Sequence, residues 1–83
     1  MTVADKTIDT SGTRCPLPLL RAKKTLKTMQ VNEILAVLAT DPAAKADFDA
    51  MLRHLPHELV DYQSVIEEGS RIDTFFIRKR HSD

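Results

Sequence analysis

The chain has 83 residues, and its 12 Lys and Arg residues balance its 12 Asp and Glu residues, so the formal net charge is zero. Hydrophobic residues make up 42% of the chain, with only 2 Gly and 4 Pro, which is the composition of a globular domain and not of a disordered or low-complexity segment. We therefore expect a single domain over residues 1–83, with one modest core and any chemistry at its surface. The single cysteine excludes an internal disulfide, a paired-cysteine redox centre and a cysteine-rich zinc site.

The N-terminal residues show no basic stretch followed by an apolar run, which is the pattern of a secretory signal. The longest apolar run, Ile34–Ala39, is far shorter than the roughly 20 residues needed to span a bilayer. We therefore expect a cytoplasmic protein that has no membrane partner.

The first half of the chain predicts a strand, a helix and a second strand. Residues 7–9 belong to a short strand with a start near Val3, and residues 10–13 form a polar loop. Over residues 16–29, apolar side chains recur at the spacing of one helix face: Leu19, Ala22, Leu26 and Met29. The continuously apolar run at residues 34–39 is typical of a strand that is covered on both faces or central in its sheet.

The second half predicts a helix and two strands. Asp41 is a good N-cap with Pro42 at the first helical position, and Pro56 ends the helix. The apolar face of this helix comprises Ala44, Phe48, Met51, Leu52 and Leu55. Residues 59–66 and 72–78 are strands joined by a turn at residues 67–70, where Gly69 is available for a positive φ.

The resulting order, β-α-β-α-β-β, predicts an α+β fold. We expect a two-layer α/β sandwich in which a four-stranded mixed sheet carries both helices on one face.

Cys15 is the strongest candidate for a functional residue, because it lies at or next to the N-cap of the first predicted helix. The partial positive charge of a helix N-terminus, with Arg14 beside it, favours a thiolate and would lower the pKa of the thiol. Pro16 and Pro18 are tolerated in the first helical turn, where they stiffen the segment that presents the sulfur. The alternative is a small buried hydrophobic residue. Without a second cysteine, any disulfide or persulfide exchange must occur between molecules.

A motif around this cysteine resembles the signature of the TusA family of sulfur-carrier proteins, also called SirA-like. The motif, Asp-x-x-Gly-x-x-Cys-Pro-x-Pro, is formed by Asp9, Gly12, Cys15, Pro16 and Pro18. Supporting similarity extends over the segments 40–42, 57–59 and 75–79. Two positions depart from the family pattern: Asn32, where members often have Gly, and Leu17, between the two prolines.

The resemblance implies that Cys15 accepts sulfane sulfur as a persulfide, acting as a sulfurtransferase without a cofactor. The implied donor is a cysteine desulfurase or a rhodanese, and the implied acceptor is a DsrE-like relay protein. In many bacteria this relay supplies 2-thiouridine synthesis in tRNA, whereas related proteins serve sulfur oxidation or molybdenum-cofactor synthesis. It also implies that Gly12 permits the loop and that the neighbourhood of Asp41 contacts the sulfur donor.

The neutral net charge conceals an uneven distribution along the chain. Residues 1–30 carry a net charge of +4, residues 31–73 of −6 and residues 74–83 of +2. The predicted first helix holds four exposed bases: Arg21, Lys23, Lys24 and Lys27. They form either an ordinary solvated helix face or a surface that docks acidic partners.

Other patterns favour structural interpretations. The basic run at residues 78–81 is typical of solvated charge at a chain terminus, and with few aromatic residues no direct nucleic-acid partner is expected. His54 and His57 form no recognisable metal motif, since Pro56 separates them. We expect a monomer in the absence of partners. The rival functions are a non-enzymatic regulatory or interaction module and a thiol redox sensor.

Overall fold

The computed structural model describes residues 3–14 and 17–80. Predictions that rest on Cys15, Pro16 and His81 lie outside the described residues. The elements follow the predicted order: β1 Lys6–Asp9, α1 Leu17–Thr28, β2 Ile34–Ala39, α2 Ala44–His54, β3 Glu58–Glu67 and β4 Ser70–Arg78. None of the helices in the described ranges is long and apolar enough to cross a membrane.

The strands form one mixed sheet in the order β1-β2-β4-β3. β1 pairs with β2 in parallel, and β4 pairs antiparallel with both β2 and β3. β2 and β4 therefore occupy the centre of the sheet, which accounts for the apolar run of residues 34–39.

Both helices pack on the same face of the sheet, as predicted. Ala22 and Leu26 of α1 join Phe48 of α2 in a single buried cluster with alternate residues of the two central strands. The strand members of that cluster are Leu35, Val37, Ala39, Phe75 and Ile77. Residues at i, i+2 and i+4 of a strand share a face, so the fold is a two-layer α/β sandwich.

A β-bulge adjusts the edge strand β3 to this core. Leu59 lies opposite Ile77 and Asp61 lies opposite Phe76, so Val60 is the extra residue. The bulge shifts the alternation of side chains by one position. Leu59 and Tyr62 therefore both pack against the helix layer, although they are three positions apart in sequence.

Two turns depend on positive φ angles. Glu68 (φ 50°) and Gly69 (φ 80°) form the two-residue loop of the β3–β4 hairpin, in agreement with the prediction for Gly69. Asn32 has φ 78° in the connection between α1 and β2. Asparagine tolerates this region better than most side chains, so the departure from glycine noted for Asn32 is compatible with this turn.

Several predicted boundaries differ from the structure. β3 and β4 are longer than the predicted strands 59–66 and 72–78, since they cover Glu58–Glu67 and Ser70–Arg78. β1 begins at Lys6 and not near Val3, because β2 starts at Ile34 and the pairing of the two strands begins with Lys6 opposite Leu35. Asp5, just before β1, still contacts Ile34: its backbone N–H donates to the Ile34 carbonyl over 2.8 Å, and its carboxylate accepts a 2.8 Å hydrogen bond from Ile34 N–H.

Asp41 is not the N-cap of α2. The helix begins at Ala44, and its N-cap residue, Ala43, makes no side-chain capping bond. The carboxylate of Asp41 accepts a hydrogen bond from Ala43 N–H (2.9 Å), and its carbonyl accepts one from Ala44 N–H (3.0 Å). Asp followed by Pro is also typical of the first two positions of a β-turn, and here the turn precedes the helix.

Candidate functional site

The motif loop, which we define as residues 10–14, connects β1 to α1. Because β1 and β2 are parallel, their carboxyl ends lie at the same edge of the sheet, and the loop leaves from that edge. Residues that follow the carboxyl ends of parallel strands are well placed to form binding and catalytic sites, since a rigid sheet supports them. The segment that follows β2, residues 40–43, lies at the same edge.

Thr10 anchors the motif loop to β2 and is fully buried. Its backbone N–H and its hydroxyl both donate to the carbonyl of Leu38, over 2.8 Å and 2.5 Å. Its own carbonyl accepts hydrogen bonds from the backbone N–H (3.1 Å) and the hydroxyl (2.6 Å) of Thr13. The start of the loop is therefore held to the sheet and folded back on itself.

Gly12 forms a second link between the motif loop and β2. Its backbone N–H donates a 2.9 Å hydrogen bond to the hydroxyl oxygen of Thr40. Its φ is +81°, and a Cβ atom at this position would meet nothing within 4 Å. The requirement for glycine here is therefore conformational and not steric.

Asp9, the last residue of β1, and Arg21 of α1 also stabilise the motif loop. The Asp9 carboxylate accepts a 2.9 Å hydrogen bond from Ser11 N–H, and the Arg21 guanidinium donates to the Asp9 carbonyl over 2.9 Å. The hydrogen bonds from the side chain and backbone of Ser11 hold the pKa of Asp9 below its usual value, and the charge of Arg21 adds to the effect. These contacts agree with a role for Asp9 in tying down the loop.

The two residues that flank positions 15 and 16 are joined by a hydrogen bond, since Leu17 N–H donates to the Arg14 carbonyl over 2.9 Å. Arg14 is exposed, and Pro18 is buried as the second residue of α1. Leu17 and Leu20 are 50% and 54% exposed. Two apolar side chains are therefore accessible in the first turn of α1, next to the motif cysteine in sequence.

The predicted docking residues do not form a single group. Arg21, Lys23, Lys24 and Lys27 are all exposed on α1, as predicted. Arg21 contacts the loop at Asp9, whereas Lys23 and Lys27 line a cleft on another side of the helix, and Lys24 is not among the lining residues described. Asp41 follows directly after Thr40, the residue that binds Gly12, and so lies beside the motif loop.

The prediction that the basic run at residues 78–81 is solvated charge is wrong for Lys79. This side chain is only 3% exposed, and its ammonium group donates to the carbonyl of Met29. The neighbouring Arg78 and Arg80 both approach the carboxylate of Glu58, at 3.8 Å and 3.0 Å. The burial of Lys79 arises because the end of β4 runs past the C-terminus of α1.

Sequence reasoning missed Thr10 and Thr40, the two residues that fasten the motif loop. Their partners lie 28 residues away in the chain, and a threonine in a polar segment gives no signal of such a contact. Within residues 3–14 and 17–80, no three or more His, Cys, Asp or Glu side chains are grouped as metal ligands would be.

The two-layer sandwich resembles the fold of a solved SirA-like protein. The crystal structure of a SirA-like protein from Desulfitobacterium hafniense superposes with a TM-score of 0.67, covering 90% of this chain and 99% of that one. Sequence identity is 21%, so this similarity establishes the fold alone.

The family follows from the sequence comparisons. The family model described as sulfurtransferase TusA matches residues 6–79. The sulfur carrier protein TusA of Allochromatium vinosum is 45% identical over 75 residues, which cover 90% of this chain and 93% of the relative. A putative sulfur carrier protein of Neisseria meningitidis is 52% identical over 56 residues, covering 68% of this chain and 76% of the relative. The chain belongs to the TusA family of sulfur carriers.

Proposed function

We propose that Cys15 carries sulfane sulfur as a persulfide. The observation that supports this most directly is the motif of residues 9–18, which in this TusA-family chain includes a loop fastened through Thr10 and Gly12 to β2 and the residue after it. The loop that precedes the cysteine in the chain is firmly held, and preorganisation of a reacting segment lowers the entropic cost of reaction. Membership of the family supports the carrier function itself.

The proposed reaction is a thiol–persulfide exchange. The Cys15 thiolate attacks the terminal sulfur of a persulfide on the donor protein, a new S–S bond forms on Cys15 as the donor's S–S bond breaks, and the donor leaves as a thiolate. Transfer to the acceptor is the same step with Cys15 as the leaving group. Neither step needs an external oxidant or reductant, because the oxidised sulfur atom moves as a unit.

The proposed contact surface for partner proteins surrounds the first turn of α1. Leu17 and Leu20 provide exposed apolar area, and Arg21 provides a positive charge beside the motif loop. Lys23, Lys24 and Lys27 extend the positive charge along other sides of α1. Apolar centres with charged rims are typical of transient interfaces, in which the charges mainly raise the association rate. We include Asp41 in this surface, because it lies beside the motif loop.

We further propose that the sulfur donor is a cysteine desulfurase or a rhodanese and that the acceptor is a DsrE-like relay protein serving tRNA 2-thiouridine synthesis. Family resemblance supports this route, and it equally allows delivery to sulfur oxidation or molybdenum-cofactor synthesis. We propose that the carrier acts as a cytoplasmic monomer between its donor and acceptor proteins.

Intact-mass spectrometry after incubation with a sulfur donor tests the proposal. One arm uses a cysteine desulfurase with cysteine, and the other a rhodanese with thiosulfate. We expect a gain of one sulfur atom that a reductant removes and that the Cys15→Ser variant does not show. No uptake from either donor would contradict the carrier function and favour an interaction module. A gain of oxygen, or of a mixed disulfide, only after peroxide would favour a redox sensor.

A further inference from the structure

A cleft of about 270 Å³ lies between the second half of α1 and the connection from α2 to β3. None of residues 9–14 is among its described lining residues, so it is separate from the motif loop. Its lining residues are Lys23, Leu26, Lys27, Leu55, Pro56, His57 and Lys79. The cleft thus draws on α1, on the segment after α2 and on the chain end after β4.

The charged side chains among the described lining residues of this cleft are all cationic. Lys23, Lys27 and Lys79 contribute ammonium groups, and no Asp or Glu is among the described lining residues. His57 adds an imidazole whose Nδ1 accepts a hydrogen bond from Arg80 N–H (3.2 Å). Glu58, the acid next to His57 in the chain, is engaged by Arg80 at 3.0 Å and by Arg78 at 3.8 Å. A concave surface that gathers cations in this way concentrates a positive potential.

Lys79 shows that the positive charge extends into the buried part of the cleft. Its side chain is 3% exposed, and its ammonium donates to the carbonyl of Met29, just beyond the end of α1. That contact neutralises the negative end of the helix dipole, which would otherwise repel an anion. Among residues 3–14 and 17–80, no carboxylate forms an ion pair with Lys79, and the partner described for its ammonium is a neutral carbonyl. A buried ammonium held by a neutral carbonyl favours the approach of an anion.

The chemistry of the lining indicates the class of ligand. Lysines bind phosphate as compact point charges with rotatable donors, and no arginine, whose planar fork would favour bidentate binding of a carboxylate, is among the described lining residues. Leu26, Leu55 and Pro56 add apolar surface beside the cations. The volume is near the lower limit of ligand pockets, roughly 300 Å³, which favours a small molecule. We propose that this cleft binds a small phosphate monoester whose phosphate contacts the lysines and whose apolar body contacts the leucines and the proline.

Titration of the ¹⁵N-labelled full chain with phenyl phosphate, followed by amide chemical shifts at low salt, tests the proposal. We expect saturable shifts at Lys23, Leu26, Lys27, Leu55 and Lys79. Inorganic phosphate and phenol, which each supply one half of the ligand, are expected to bind more weakly than phenyl phosphate. Added potassium chloride is expected to weaken binding, since the lysines on α1 are exposed to screening.

Charge-neutralising variants of α1 test the lysines of the cleft and include a matched control outside it. Lys23→Gln and Lys27→Gln each remove a cation from the cleft and are expected to raise the dissociation constant for phenyl phosphate about threefold or more. Lys24→Gln removes the same charge from the same helix outside the cleft and is expected to leave the constant unchanged. The proposal is overturned by an equal loss in all three variants, by saturable shifts that centre on other residues, or by inorganic phosphate binding as tightly as phenyl phosphate.

Discussion

The backbone N–H of Gly12 and the hydroxyl of Thr40 are 2.9 Å apart and form a hydrogen bond that links the motif loop to the end of β2. The same bond places the segment containing Asp41 beside the loop, although 28 residues separate Gly12 from Thr40 in the chain. Thr10 makes a parallel connection to Leu38 two positions earlier on β2. The sheet therefore holds the loop at two points before the chain reaches the motif cysteine.

Removing the Thr40 hydroxyl is expected to loosen this attachment. Thr40→Val keeps the shape of the side chain and deletes the acceptor, so the free energy of unfolding should fall by about 1 kcal/mol, and the rate of sulfur uptake by Cys15 should fall as well. Thr28→Val is the control, because its hydroxyl donates to the Thr25 carbonyl within α1. Urea unfolding and intact-mass kinetics measure the two effects. Equal uptake rates in both variants would show that the bond to Gly12 does not matter for the transfer.

The two glycines with positive φ allow a direct comparison of a motif position with a distant turn. Gly12 (φ +81°) and Gly69 (φ +80°) both have open space where a Cβ atom would lie. Alanine at either position therefore adds backbone strain without a clash, and we expect each variant to lose about 1 kcal/mol of unfolding free energy. Only Gly12→Ala is expected to slow sulfur uptake, because Gly69 is in the β3–β4 hairpin. A similar loss of uptake in Gly69→Ala would assign the effect to global stability.

The order and type of the elements could be predicted from the sequence because the apolar periodicities are strong. The strand predicted at residues 34–39 has the same bounds as β2 in the structure, since a continuous apolar run with polar neighbours is a local signal. The start of α2 was misplaced because Asp41-Pro42 fits both a helix cap and a turn, and only the backbone shows that the turn prevails. The bulge at Val60 has no local signal either, since it depends on which face of β3 meets the helices.

The candidate site was predictable in its motif but not in its support. The position of the cysteine before the first helix follows from helix periodicity and two prolines, all of which are local. The contacts of Thr10, Thr40 and Lys79 all join residues at least 28 positions apart, and the Lys79 contact spans 50. Such contacts depend on the packing of complete elements, so the burial of Lys79 could not be predicted from a basic terminal run.

The hydrogen bonds to Asp9 predict a pH-dependent contribution to stability. The folded state lowers the pKa of this carboxyl, chiefly through the side-chain hydrogen bond of Ser11, so the ionised form stabilises the fold above the unfolded-state value of about 3.9. That contribution is lost as the pH falls through the lower folded-state pKa. Wild type should therefore be more stable than Asp9→Asn at pH 7, by a small amount because the carboxylate is exposed, and the difference should disappear at lower pH.

Denaturant unfolding of both proteins between pH 7 and pH 2.5 measures this difference. Ser11→Ala removes the largest cause of the pKa shift, so in that background the effect of Asp9→Asn should be smaller at pH 7. A stability difference that stays constant across the pH range would show that Asp9 acts through packing or turn geometry and not through its charge.

The basic residues of α1 predict a salt-dependent rate of sulfur uptake from an acidic donor surface. Reversing Lys23 and Lys24 to Glu changes the net charge by −4 beside the proposed contact surface, and the association rate with the donor should fall at low salt, about tenfold or more. Lys6→Glu with Arg53→Glu makes the same change in net charge at exposed positions outside α1 and is expected to have a smaller effect. Stopped-flow or quenched uptake kinetics at 20 and 300 mM salt distinguish the two double variants. At the higher salt, screening should make the uptake rates of both variants and wild type similar. Identical rates at low salt for the α1 variant and wild type would rule out a docking role for these lysines.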